Sequence, residues 1–221
     1  MIEVIRKGNN PKLGIFSGIH GDEWRVISSV QKSVDKYSNE LSSYLYIPLC
    51  SPSAVKSKTR QNEDGVDLNR SFIKKPTIKE TINIMTILKP NKFDLCVDFH
   101  EDVEVSDNSG VYVYDSGNVE GSKELKSFRS QVARITPLFS GVDDNSDTEL
   151  GQISNNGYRP ALPPEKNKNG EYIYEGFLDF WALIEGVTKR WMTLEVPTGL
   201  TQVKKDLVVE IFVKIFILNQ I

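Results

Sequence analysis

The stretch FDLCVDF, residues 93–99, constrains the fold more than any other part of the chain. A short apolar run of this kind reads as a strand covered on both faces, as in an α/β sheet flanked by helices. The neighbouring segments alternate accordingly. Residues 13–17, 44–49, 111–114 and 190–196 read as further strands, and residues 22–37, 77–88, 122–135 and 200–219 as helices. The pattern predicts α/β architecture in a single domain, 1–221, with a mixed, largely parallel sheet and helices on both faces. In the first helix Trp24, Ile27, Val30 and Val34 form the expected apolar stripe. In the last helix Val203, Leu207, Val208, Ile211, Phe212 and Ile215 are expected to face the sheet.

Composition narrows the function classes. The chain has 39% hydrophobic and 26% charged residues and a net charge of −3, which gives no electrostatic reason to expect nucleic acid. Its N-terminus lacks a long apolar segment, and VVEIFVKIFIL near the C-terminus is interrupted by Glu210 and Lys214, so no membrane span is expected and the chain reads as cytoplasmic. The two cysteines, Cys50 and Cys96, read as buried thiols.

The polar residues gather at predicted strand ends, where ligands bind in open α/β sheets. There are only two histidines, His20 and His100, and each follows a strand. Imidazole is a common zinc ligand, and catalytic zinc sites use three protein ligands and leave one position open. Glu23 in GIHGDEW is placed to be the third, with Gly18 and Gly21 allowing the chain to reverse between strand and helix. The alternative is a helix start in which Asp22 caps and Glu23 favours the dipole, since H-x-x-E is common by chance. The segment from Ser51 to Phe72 is too long and polar for a plain connection. It carries Arg60, Asn69 and Arg70, and a guanidinium offers a fork suited to a carboxylate. Glu195 lies within the apolar strand 190–196, where an acid is costly unless it faces a polar cleft; a catalytic base would occupy such a place.

Taken in order, His20 and Glu23 in GIHGDEW, Arg60 in KTR, Asn69 and Arg70 in GVDLNRSF, His100 in VDFH and Glu195 in TLEVP resemble the signature set of the zinc carboxypeptidase family. GFLDFWALIEGVTKRWMTLE, residues 176–195, resembles the family's specificity-pocket segment. The resemblance implies a zinc carboxypeptidase-like fold and one zinc ion held by His20, Glu23 and His100. It implies that Arg60 steadies the oxyanion, that Asn69 and Arg70 hold the substrate carboxylate, and that Glu195 is general base and acid. It also implies Tyr172 as the mobile tyrosine, with Tyr174 and Tyr158 competing, and Leu178 as the pocket floor.

The implied activity is a metallocarboxypeptidase acting on peptides. The early position of His20 and the segment leading to DLNRSF also resemble the aspartoacylase and succinylglutamate desuccinylase group, which uses the same site on N-acyl amino acids. That group normally adds a β-rich domain after the catalytic glutamate, whereas one helix follows Glu195 here, so peptides come first and N-acyl amino acids second. The substrate in either case carries a free carboxylate. A third reading, from another class, is an inactive binder of peptide C-termini. Acidic residues Asp143, Asp144, Asp147 and Glu149 either form a solvated loop or line the mouth of the site.

Overall fold

The computed structural model describes residues 2–102, 110–142 and 153–218. The acidic segment from Asp143 to Glu149 lies outside the described residues.

Seven strands form one sheet in the order β1-β3-β2-β4-β9-β5-β8. They are β1 (Ile5–Lys7), β2 (Leu13–Ser17), β3 (Tyr44–Ile47), β4 (Leu95–Asp102), β5 (Tyr112–Asp115), β8 (Tyr158–Pro160) and β9 (Trp191–Pro197). A separate antiparallel pair joins β6 (Gly141–Val142) to β7 (Ile153–Ser154). The pairs β2/β3, β2/β4, β4/β9 and β5/β8 are parallel, whereas β1/β3 and β5/β9 are antiparallel. The sheet is therefore mixed and largely parallel, as expected.

Two apolar layers sandwich it. On one face Ile15, Val97 and Leu194 pack with residues of α1 (Trp24–Lys36), α4 (Lys123–Val132) and α6 (Gln202–Phe212). On the other, Phe16, Cys96 and Trp191 pack with α3 (Lys79–Leu88) and α5 (Leu178–Ile184), and Phe16 stacks on Trp191 at 5.2 Å. A short helix, α2 (Pro52–Ser57), lies in the segment read as a long loop. Its signal was a proline at the first helical position, which supplies a preset φ and forfeits an N–H that has no partner there.

Two expectations about helix faces are corrected. The buried stripe of α1 is Val26, Ser29, Val30, Ser33 and Val34, while Trp24 is exposed beneath Lys58, whose Nζ is 4.1 Å from the ring centroid. On α6, Val208, Val209 and Phe212 are buried, but Val203 is 69% and Leu207 44% exposed. Helix α6 lies against α1 as well as the sheet, and its buried arc therefore turns toward residues 205, 208, 209 and 212. The final turn, Val213–Ile217, is π-helical.

Cys50 and Cys96 are both buried and free, as expected. No helix among the described residues is long and apolar enough to cross a membrane.

The chain leaves β2 toward β3 on one side and reaches β4 on the other, so the carboxyl ends of β2 and β4 flank a switch in strand order. Such a switch opens a crevice between the two departing connections. His20 follows one strand and His100 lies near the end of the other.

Candidate metal centre

The turn from β2 into α1 is shaped by close packing. Gly18 has φ of 64°, and a Cβ at Gly21 would lie 1.9 Å from the carbonyl oxygen of Ala54. Only glycine lets α2 come this near, and the Gly21 N–H donates to Thr59 O at 3.0 Å. Glu23 then stands at the N-cap position of α1.

His20, Glu23 and His100 are all buried, and their candidate ligand atoms lie within 4.8 Å of one another. His20 Nδ1 is 2.6 Å from Glu23 Oε1, and His100 Nδ1 is 2.9 Å from Glu23 Oε2. The far side of each ring is also held: His20 Nε2 lies 3.0 Å from Asp67 Oδ1, and His100 Nε2 lies 3.1 Å from Asp98 Oδ2. An imidazole that donates its Nε2–H to a carboxylate keeps the Nδ1 lone pair for a cation and becomes more basic there. Two neutral imidazoles and one carboxylate form a donor set that suits zinc and leaves a coordination position open. The residues present fit the ion.

Burial pulls both imidazoles down, but Glu23 and the aspartates outweigh it; His20 is raised above 6.5 and His100 well above it. Burial pushes Glu23 up, and the two imidazoles reverse this, holding its carboxyl far below 4.5. Asp67 is likewise pushed up by burial yet held far below 3.8 by His20 and Arg60. The raised histidines stabilise the metal-free fold below about pH 6.5, and that contribution is lost as pH rises through their folded values. The depressed acids contribute above about pH 4.5, and theirs is lost as pH falls through their folded values. Thermal unfolding in chelator is therefore expected to show this cluster's contribution greatest between about pH 4.5 and 6.5 and declining toward pH 8. Saturating zinc should reverse the upper trend, because binding displaces protons from the histidines. A metal-free Tm that climbs steadily to pH 8 would contradict the assignment.

The long segment before Arg70 is ordered by its own polar side chains. Asn62 Oδ1 accepts from the N–H groups of Asp64 and Val66, and Glu80 accepts from Ser51, Ser53 and Asn62. Asp67 accepts from Asn69 N at 2.9 Å and from Arg60 Nε at 2.9 Å. Arg60 Nη1 is 3.8 Å from Glu23 Oε1, with the side chain 41% exposed. Asn69 Oδ1 accepts from Leu178 N at 3.0 Å, and the Arg70 guanidinium is exposed 4.3 Å over the Phe177 ring. Gly176 allows this crossing: its φ is 97°, and a Cβ there would meet Arg70 O at 2.4 Å.

Glu195 is the in-register partner of His100 across β4 and β9, and the two interact electrostatically. The structure thus brings His20, Glu23, His100, Arg60 and Glu195 together, with Asn69 and Arg70 on the segment that Asp67 anchors. Two other expected residues lie differently. Tyr172 is exposed, with Lys166 Nζ 4.5 Å from its ring centroid, while Tyr174 bonds Glu185 and Tyr158 bonds Asp115. Leu178 is 1% exposed in the same core cluster as Phe72 and Trp181, because it begins a helix whose apolar side covers the sheet. Its neighbour Asp179 interacts electrostatically with Asp98 and His100, and its carboxyl is pushed up to about 7 by burial and then by Asp98.

Sequence reading missed Asp67, Asp98 and Arg159. Asp98 carried the same signal as Glu195, an acid in an apolar strand, and it lies two residues before His100 on the same face. Trp191 Nε1 donates to its second oxygen at 3.0 Å. Arg159 is buried beside Glu195, its guanidinium 3.7 Å from the Tyr114 ring centroid, and burial pulls it down to about 10.

The succinylglutamate desuccinylase/aspartoacylase catalytic domain model matches residues 9–136. The chain belongs to this family. The match spans His20, Glu23, Arg60, Asn69, Arg70 and His100. No curated protein matches the sequence. Among solved structures, a candidate metallopeptidase from Shewanella amazonensis is similar with a TM-score of 0.74 at 19% identity, over 98% of this chain and 81% of that one. A metallo-carboxypeptidase from Burkholderia cenocepacia gives 0.60 at 14% identity, over 94% and 57%. A succinylglutamate desuccinylase from a Silicibacter species gives 0.59 at 15%, over 97% and 60%. The chain therefore spans less than two thirds of the last two, and at these identities the likeness is one of fold, common to family members and carboxypeptidases.

Proposed function

We propose that this protein is a zinc-dependent metallocarboxypeptidase that hydrolyses the C-terminal amide bond of peptides. The observation that carries this reading is the convergence of His20, Glu23 and His100 where β2 and β4 end, with Glu195 in register beside His100. A zinc ion held by those three residues would supply a Lewis acid and lower the pKa of its water to about 7.

The chain's own groups then divide the work. Glu195 takes a proton from the attacking water and returns it to the leaving amine. Arg60, beside Glu23, faces negative charge developing on the carbonyl oxygen. Arg70 and Asn69 hold the terminal carboxylate and place the scissile amide between the ligands and Glu195. The exposed Arg70 and the half-buried Arg60 leave that side open to an extended substrate.

A second reading, an N-acyl amino acid deacylase, is favoured by the family match. The same machinery serves it, since an N-acyl amino acid also presents an amide next to a free carboxylate. The deciding experiment compares amino acid release from free and C-terminally amidated peptides, N-acetyl-aspartate and N-succinyl-glutamate. Release from free peptides alone supports the carboxypeptidase; release from the small acyl amino acids alone supports the deacylase. A zinc-loaded chain that cleaves none of them but binds peptides with free C-termini is a binding protein. Equal cleavage of amidated and free peptides overturns the exopeptidase reading.

Arg70→Lys tests the carboxylate clamp. Lysine keeps the charge and loses the planar fork, so KM for a free-carboxylate substrate is expected to rise about tenfold or more, with a smaller change in kcat. Steady-state kinetics on one peptide suffices to check it. An unchanged KM would remove Arg70 from substrate recognition.

A further inference from the structure

Behind the metal centre, on the face of the sheet opposite His100, lies a buried ion pair that the proposed chemistry does not use. Lys205 Nζ, from α6, is 2.9 Å from Glu101 Oε2, and both side chains are 0% exposed. Lys205 Nζ also donates to Pro197 O at 3.0 Å, two residues beyond Glu195. Glu101 directly follows His100 in β4 and touches α1, at whose N-cap position Glu23 stands. Its Oε1 accepts from Val26 N in the first turn of α1, and its own N–H donates to Glu23 Oε2 at 3.1 Å. One ammonium thus connects the ends of β4 and β9 with the start of α1, the three places that carry His100, Glu195 and Glu23.

A buried ion pair is an inefficient way to gain stability, since well-packed apolar residues of similar volume are often as good or better. What it supplies is fixed placement, because neither buried charge can leave its counter-charge without a large desolvation cost. Glu101 has two oxygens: one accepts from the first turn of α1, just after Glu23, and the other pairs with the Lys205 charge. Moving α1 relative to β4 would leave a charge buried without its partner.

We propose that Lys205 is a positioning residue of the metal centre: through Glu101 it sets the start of α1, and with it Glu23, against His100 and Glu195. This rests on the zinc-hydrolase reading of the site but concerns metal geometry, not substrate. Partners outside the ligand shell typically cost about 10- to 100-fold in metal affinity when removed.

The test is the double variant Glu101→Gln/Lys205→Met in the full chain. It removes both charges and keeps an oxygen for Val26 N. Zinc dissociation constants are measured by chelator competition, Tm in chelator, and the visible spectrum after cobalt loading. The expected result is a metal-free Tm equal to or above that of the wild type, a zinc Kd raised about 10- to 100-fold, and a shifted cobalt band. If the double variant does not fold, Glu101→Asp decides: it keeps both charges but is one methylene too short to reach Val26 N and Lys205 together, so zinc affinity should again fall. Wild-type zinc affinity and an unaltered cobalt spectrum in a folded variant overturn the proposal alone. A wild-type chain that takes up no zinc overturns the functional reading and this one with it.

Discussion

Glu195→Gln is expected to leave the fold and zinc uptake intact and to lower kcat by at least about a hundredfold, the usual contribution of a positioned general base. Glutamine copies the shape of glutamate but cannot take a proton at neutral pH and give it back. The substitution is mild structurally, because Glu195 lies in β9 between Leu194 and Val196, which are packed on the opposite face and unaffected. It is severe chemically, because Glu195 is paired in register with His100 and has the buried Arg159 guanidinium as an electrostatic neighbour. The measurement is kcat on zinc-loaded protein with the best substrate of the panel, beside zinc stoichiometry and Tm. A fall well short of a hundredfold with full zinc would make Glu195 structural.

His100→Ala should act at the other end of the problem, on the metal itself. A three-ligand site reduced to His20 and Glu23 loses both affinity and the geometry that leaves a position open, so substoichiometric zinc and background hydrolysis are expected. Removing the ring also leaves Asp98 buried with Trp191 Nε1 as its remaining bonded partner of the two, and leaves Glu23 without one of its two imidazoles. The metal-free variant should therefore be less stable than the metal-free wild type by about 1–3 kcal/mol, the cost of stranding a buried polar group. Metal content after dialysis, hydrolysis and chelator-treated Tm together check this. Stoichiometric zinc with full activity would show that the ligand set is wrong.

The three residues that could hold a metal ion stood out in the sequence because their signals are local. GIHGDEW joins a strand to a helix within seven residues, and a histidine ending an apolar run is recognisable without knowing what lies beside it. Glu195 was legible for the same reason, as an acid in a strand that is otherwise apolar. Asp98 offered an equal signal in FDLCVDF, but its meaning depended on His100 having a far side that needed a partner. Asp67 looked like an ordinary loop acid; its three partners, His20, Asn69 and Arg60, include one 47 residues away. Leu178 shows the opposite case, where alignment by resemblance gave a position but only the packing of α5 decided that its side chain joins the core.

Local periodicity and residue type determined, from the sequence by itself, that strands and helices alternate here, that β2 begins at Leu13 and ends at Ser17, and that two imidazoles and acids stand at strand ends. Those properties depend on neighbours along the chain, which is why they can be read there. Strand order, the switch between β2 and β4, the pairing of His100 with Glu195, and the burial of Lys205 against Glu101 depend on contacts between residues far apart in the chain. Their energies come from packing and charge pairing that exist only once the sheet has assembled, so the tertiary structure alone decided them.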